Sequence, residues 1–310
     1  MEEAPKSRFS GIKHFYESQY KKLLILPFSL LLIAMLLIGF NFATTGDFIN
    51  RDISLKGGVT VTVSTQQNID IIQLEKTISS KFPGNDIATN SISQFGRQTG
   101  FIVEADVSQE QTAKLIEEIG NALNKKLSAQ DYAVEVVGPS LGASFFKELL
   151  IALSIAFVFM ALVVFISFRT FVPSMAVILA AFSDMVVTLA IVNLLGMKIS
   201  AAGIAAFLML IGYSVDTDIL LSTRVLKRKE ETEMERVYGA IKTGLMMSAT
   251  AIVAAIAALL VTQSEVIRQI MIILLIGLLV DLINTWIQNV GILRIYLERK
   301  ARKRQNVLQS

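Results

Sequence analysis

The sequence predicts a polytopic α-helical membrane protein. Six transmembrane helices carry an extracytoplasmic α+β domain, of ferredoxin-like βαββαβ order, set between the first helix and the second. Three observations predict this. Hydrophobic residues make up 53% of the 310, the mean hydropathy is +0.57, and the apolar residues gather in runs. Such runs fit a bilayer core of ~30 Å, which takes about 20 helical residues. A polar stretch, residues 43–146, interrupts the runs with strand and helix periodicities of its own. Basic residues mark alternate ends of the runs, so one topology satisfies every loop.

Residues 1–22 read as a cytoplasmic N-terminus, with Lys6, Arg8, Lys13, Lys21 and Lys22 ahead of the first apolar run. The only histidine, His14, lies here. Without a second histidine or any cysteine, a solvated side chain is expected at His14 and a metal site is not. Residues 23–42 form the first span. The run is longer than the apolar core of a typical signal peptide, and no clear small-x-small cleavage site follows its end. Pro27 falls in the first turn, where a missing N–H costs least.

Within residues 43–146, strands are expected at 58–65, 86–94, 99–107 and 131–137 from their alternation and β-branched content. Asn68 is expected to cap a helix over 69–82, whose Ile71, Leu74 and Ile78 share one face and which Pro83-Gly84 stops. A short connection around Gly96 makes the second and third strands a hairpin. Ser108 and Gln111 form a capping box that opens a helix over 109–127. The order βαββαβ is the split-βαβ pattern, an antiparallel sheet with two helices on one face. The domain carries no cofactor, metal or phosphate signature, which points to a binding or moving role.

Residues 147–298 hold five further spans, at about 148–168, 172–195, 201–222, 244–262 and 267–293. Arg169, the basic segment 224–242 and the tail 299–310 share the side of the N-terminus, so both termini are cytoplasmic and residues 43–146 lie outside. Ala201/Ala205, Ala202/Ala206, Ala251/Ala255 and Ala254/Ala258 are small residues four apart, suited to close helix contact.

Acids inside these spans are the candidate functional residues. A carboxylate in hydrocarbon costs about 2.5–3.5 kcal/mol on insertion scales, so it ordinarily faces protein or water. The fourth span carries Asp216 and Asp218, the third Asp184, the sixth Asp281. Thr188 lies one turn beyond Asp184, and Asn284 and Gln288 follow Asp281 at helical spacing. A two-residue step turns a helix by about 200°, so only one of Asp216 and Asp218 faces a given partner. Several readings stand side by side. The fourth-span acids lie near headgroups and pair with Arg224, Lys227 or Arg228; the acids carry protons for coupling; or they are permanently protonated and only hydrogen-bond neighbours.

The remaining features exclude more than they assign. There is no Walker motif, catalytic triad or metal constellation, so no enzyme activity and no cofactor is expected. A pI near 9.0 is explained by basic residues beside apolar runs, and no nucleic-acid partner is expected. For the tail, positive-inside anchoring at the lipid bilayer competes with binding of anionic lipid or ribosomal RNA.

The residues resemble those of a known family. Leu55-Lys56-Gly57-Gly58 resembles a Gly-Gly element at the entry to the first strand, and Val137-Gly138-Pro139-Ser140-Leu141-Gly142 an element before the second span. Asp184 with Thr188-Leu189 resembles an acid-containing third span. Gly212-Tyr213-Ser214-Val215, then acid, then Arg224, resembles a fourth-span signature. Together with the layout of the chain, these resemble SecF, the smaller membrane subunit of SecDF, within the resistance-nodulation-division superfamily. The resemblance implies an accessory role in late protein export in the plasma membrane, with SecD, the SecY channel complex and the translocating polypeptide as partners. It also implies use of the proton motive force through fourth-span acids. The bacterial pattern reads Asn-Asp-Thr after GYSV, whereas this chain has Asp216-Thr217-Asp218, the form of archaeal members; Thr243, beside Lys242, stands where bacterial forms often have arginine. Two other expectations remain open: a small-molecule or lipid exporter of the same superfamily, and a non-conducting scaffold for SecD and the channel.

Overall fold

A computed structural model describes residues 15–65, 67–94, 97–227, 232–262 and 264–309. His14 and the expected turn at Gly96 lie outside the described residues. The chain enters the first membrane helix, α1 (Ile25–Thr45), after a single helical turn at Tyr20–Leu23. Gly46, at φ +78°, ends α1 in the left-handed conformation that glycine adopts without penalty.

The inserted domain follows as β1 (Gly58–Ser64), α2 (Ile71–Lys81), β2 (Ile87–Gln94), β3 (Arg97–Ala105), α3 (Thr112–Ala122) and β4 (Tyr132–Val137). Its sheet has the order β2-β3-β1-β4 with every neighbour antiparallel, the ferredoxin-like arrangement. The register sets Val61 opposite both Val103 and Val134, so alternate β-branched residues share a face. That face packs Val59, Val61, Val63, Phe101, Val103 and Ala105 against Leu74 and Ile78 of α2 and Leu115 and Ile119 of α3. Each large side chain so buried contributes about 1.5–3 kcal/mol.

Two local expectations are corrected. Asp70, not Asn68, caps α2, its Oδ1 accepting the backbone N–H of Ile72 and of Gln73. Both residue types make good caps, and register decided between them. The Ser108–Gln111 capping box is present but opens a short 3₁₀ turn, and α3 ends at Ala122 rather than 127. There the chain reverses through Asn124, at φ +52°, to bring Leu127 back onto the core.

The membrane helices after the domain are α4 (Pro139–Phe168), α5 (Phe171–Leu194), α6 (Ala201–Lys227), α7 (Glu233–Val261) and α8 (Glu265–Ile283). A π-helical turn, Asn284–Asn289, and α9 (Val290–Gln309) continue α8 without a break. Among the described residues, six helices are long and apolar enough to cross a membrane: Tyr20–Thr45, Pro139–Phe168, Phe171–Leu194, Ala201–Leu226, Glu233–Val261 and Glu265–Val307. α5 and α6 are the most buried of these and α4 the most exposed. α7 begins well before its apolar run because Thr232 and Glu235 cap it reciprocally. Its first turns then bury Val237 and Ala240 against Leu221, Val225 and Val290.

Tight helix contacts fall on glycines rather than along the alanine rows. A Cβ at Gly244 would sit 2.3 Å from the Trp286 ring, and one at Gly277 2.5 Å from Leu210 Cδ1. Ala206 and Ala255 are buried, while Ala254 is exposed.

The domain meets the bundle at a glycine joint. Gly57, at φ +89°, lies so close to α4 that a Cβ would stand 2.5 Å from Pro139 Cα, and one on Gly142 would stand 2.7 Å from Gly57 N. Gly138 caps α4 with Pro139 in its first turn. Around the joint, Ile199 N donates to Asn50 O (2.6 Å), Asp52 N to Ile199 O (3.1 Å) and Ala201 N to Ser54 Oγ (3.2 Å). Lys198 pairs with Asp86 at 2.8 Å.

Candidate functional site

Polar residues from three membrane helices meet inside the bundle. α5 supplies Ser183, Asp184 and Thr188; α6 supplies Ser214, Thr217, Asp218 and Ser222; α8 and the π turn supply Asp281, Asn284, Thr285, Gln288 and Asn289. None is more than 4% exposed. Ser214, Asp218 and Ser222 stand four apart and so share one helix face. In a regular helix Asn289 would lie about 80° round from Asp281. The wider π turn brings it back toward the same face, a use typical of such turns at functional sites. Widening disturbs the backbone ladder, and the Trp286 carbonyl accepts the Tyr16 hydroxyl at 2.6 Å.

The hydrogen bonds divide the three acids. Asp184 is served on both oxygens, Ser214 Oγ donating to Oδ2 (2.5 Å) and Asn284 Nδ2 to Oδ1 (2.7 Å). This arrangement suits an ionised carboxylate. Asp218 Oδ1 accepts Asn289 Nδ2 at 2.7 Å and lies 2.9 Å from Thr285 Oγ1. The same Thr285 Oγ1 lies 3.0 Å from Asp281 Oδ1. A hydroxyl has one proton, so it donates to only one of these carboxyl groups. The second contact becomes a hydrogen bond when the other carboxyl holds a proton and donates it to the threonine lone pair. Thr285 thus stands between Asp218 and Asp281 and can bond to both once one of the two carboxyls is protonated.

The network has spare capacity. Asp218 Oδ2, Asp281 Oδ2, Asn289 Oδ1, Ser183 Oγ, Thr188 Oγ1, Ser222 Oγ and both polar atoms of the Gln288 amide are buried without a protein partner. A buried polar atom left unpaired is costly, and such atoms ordinarily meet water, a proton or an ion. Among the described residues, no lysine or arginine forms an ion pair with Asp184, Asp218 or Asp281. The three carboxyls nevertheless lie near enough to interact electrostatically. The chemistry available is therefore proton exchange, or exchange of a proton for a small cation.

Other candidates lie elsewhere. Asp216 is exposed on α6, on the opposite side from Asp218, as their spacing requires. Thr217 is buried beside Gly244, and Val215 packs with Val164, Val177 and Ile211. Gly212 and Tyr213 are exposed. Arg224 does not reach either acid; its Nη1 donates to Gly239 O at 2.5 Å and ties α6 to α7. Gly57, Gly58, Gly138, Pro139 and Gly142 belong to the domain joint. Sequence reasoning missed Thr285, Asn289, Ser183 and Ser222. Thr285 and Ser222 carried a signal, each four residues after an acid, whereas nothing local marked Ser183 or Asn289.

Comparison with known proteins agrees with this architecture. Residues 116–299 match the family model described as protein export membrane protein SecD/SecF, C-terminal. The chain is 38% identical over 292 residues to the protein-export membrane protein SecF of Pyrococcus furiosus, covering 94% of this chain and 96% of that one. It is 39% identical over 287 residues to that of Methanothermobacter thermautotrophicus, covering 91% and 94%. In fold it resembles the crystal structure of SecDF, a translocon-associated membrane protein from Thermus thermophilus, with a TM-score of 0.70 at 22% identity. The match takes in 91% of this chain but 38% of the SecDF chain, so this chain spans well under half of that protein.

Proposed function

The chain belongs to the SecF family of protein-export membrane proteins, multi-pass accessory components of Sec translocation, and from that premise we propose how it works. It acts with SecD beside the SecY channel and assists a polypeptide emerging on the outer face. Both termini and the basic tail face the cytoplasm, and the βαββαβ domain faces outward, as the placement of basic residues argues.

The work is driven by protons passing through Asp218, Asp281 and Asp184. The observation that carries this reading is the single Thr285 hydroxyl set between two carboxyl oxygens at 2.9 and 3.0 Å. Protonation of the second acid completes the bridge and holds α6 to the end of α8. Loss of that proton sets two like charges against one hydroxyl and loosens the pair. Each charge crossing at 100 mV supplies about 2.3 kcal/mol, enough to bias a two-state motion of the bundle. The glycine joint at Gly57 and Gly142 would pass that motion to the outer domain, where backbone meets backbone with no side chain between.

Secretion of a slow-folding reporter tests the reading. Cells would carry wild type, a deletion, or Asp218→Asn/Asp281→Asn at normal expression. The double variant is expected to secrete as poorly as the deletion while still co-purifying with SecD. Wild-type secretion from the double variant, with the deletion defective, would make the chain a scaffold and remove the motor reading.

A further inference from the structure

The π turn that brings Asn289 to Asp218 frees a backbone acceptor, and a residue from far along the chain meets it. Val290 N–H donates to Thr285 O, five residues back, and to Ile287 O, three back. In a regular α-helix the same N–H would donate to Trp286 O, four back. The Trp286 carbonyl has therefore lost its ordinary donor, and a buried carbonyl left bare is costly. The Tyr16 hydroxyl takes the vacated place, donating to Trp286 O at 2.6 Å across 270 positions of sequence.

The segment ahead of α1 is fastened so that this hydroxyl stays in place. Tyr238 Oη donates to Glu17 Oε1 at 2.9 Å, and Arg294 Nη1 to Glu17 O at 3.1 Å, which ties the segment to α7 and α9. The Arg294 guanidinium also lies over the Tyr20 ring, 4.0 Å from its centre. Leu24 fills the space above Gly291, where a Cβ would stand 2.7 Å from Leu24 Cδ2. The Tyr16 ring itself packs on the cluster that holds Trp286, Leu221 and Val237.

Trp286 lies between Thr285 and Asn289, the two residues that serve Asp218, so the winding of this one turn decides whether Asn289 faces the acid. We propose that Tyr16 is a positioning residue of the acid network: its hydroxyl replaces the ladder bond that the π turn gives up, and so holds Thr285 and Asn289 at Asp218. Tyr16 acts through the backbone and not on an acid. Its consequence for export rests on the proposed proton drive, whereas its geometry does not.

The chain contains a single tryptophan, so tryptophan labelled at its carbonyl carbon marks the one peptide group that Tyr16 meets. Isotope-edited infrared spectra of the full chain in lipid then read this bond directly. Tyr16→Phe keeps the packed ring and removes only the hydroxyl. It is expected to move the Trp286 carbonyl band to higher frequency and to shift the protonated-carboxyl band with it, although no carboxyl is altered. Tyr20→Phe removes the neighbouring hydroxyl, which meets Glu298, and should leave both bands in place. In vesicles holding the chain with its partners, the gradient-driven part of translocation should fall about 2- to 10-fold in Tyr16→Phe, as loss of one net hydrogen bond does. A Trp286 band indifferent to Tyr16→Phe, or moved equally by Tyr20→Phe, would overturn the inference. A moved Trp286 band with an unmoved carboxyl band would overturn it too, because the hydroxyl would then serve the fold alone. So would a full gradient response in Tyr16→Phe. If the bands move as expected but the wild type ignores the gradient, the proton drive fails and the position of Tyr16 stands.

Discussion

Replacing Glu104 with glutamine should flatten the pH dependence of this protein's stability. Glu104 is half-buried on β3, on the face of the sheet opposite α2 and α3, within electrostatic range of Asp52, Lys198, Glu265 and Asp86. Burial, and then the nearby Asp52, pushes its carboxyl up to about 7 from an ordinary 4.5, with Lys198 opposing. The folded state therefore keeps a proton that the unfolded chain releases between those values. Stability falls as pH rises from 4.5 to 7, and the full penalty is present above 7. One unit corresponds to about 1.4 kcal/mol, which sets a ceiling near 3 kcal/mol. Solvent screening of a partly exposed group reduces this to roughly 1–2 kcal/mol. Glu104→Gln removes the penalty, so at pH 8 the variant should be the more stable by that amount, and near pH 4 the two should coincide. Apparent melting temperatures in mild detergent between pH 4 and 9 would show it. Parallel curves for the two proteins, or a wild type that alone gains stability from pH 5 to 7, would refute the reasoning.

Three further outcomes follow from particular contacts. Thr285→Val keeps the shape of the side chain but removes its hydroxyl, and should cost about 1–3 kcal/mol of stability as two buried carboxyls lose a partner. Infrared spectra should then show a protonated-carboxyl band shifted or lost; an unchanged band would show that no proton is shared there. Gly142→Ala puts a methyl 2.7 Å from Gly57 N and 3.0 Å from Lys56 C, backbone atoms that do not yield, so about 1–3 kcal/mol should be lost in thermal unfolding. Gly277→Ala meets Leu210 Cδ1, Cδ2 and Cγ at 2.5–3.0 Å, side-chain atoms that can shift where backbone cannot, and should cost less than Gly142→Ala in the same assay.

What the sequence revealed follows the range of its signals. Alternation at 58–64 and 97–105 and the 3.6-residue period at 71–81 are local, and both outlive any choice of partner. Span number follows from hydropathy for the same reason. The orientation of Asp216 and Asp218 was not legible, because the rotation of α6 is set by which neighbours bury Leu210 and Leu221. The π turn was hidden too, since one extra residue per turn leaves no composition signature; it shows only when Asn289 is found beside Asp218. Gly244 and Gly277 look unremarkable in sequence, and their roles depend on Trp286 and Leu210, which approach from other helices.

The most direct test is the response of translocation to an imposed proton gradient in membrane vesicles holding this chain with its partners. Wild type and Asp281→Asn would be compared at matched amounts. Translocation by the wild type should accelerate as the gradient is applied, and Asp281→Asn should proceed at the no-gradient rate in both conditions. An equal acceleration in the two would contradict the claim that protons shared across Thr285 drive export.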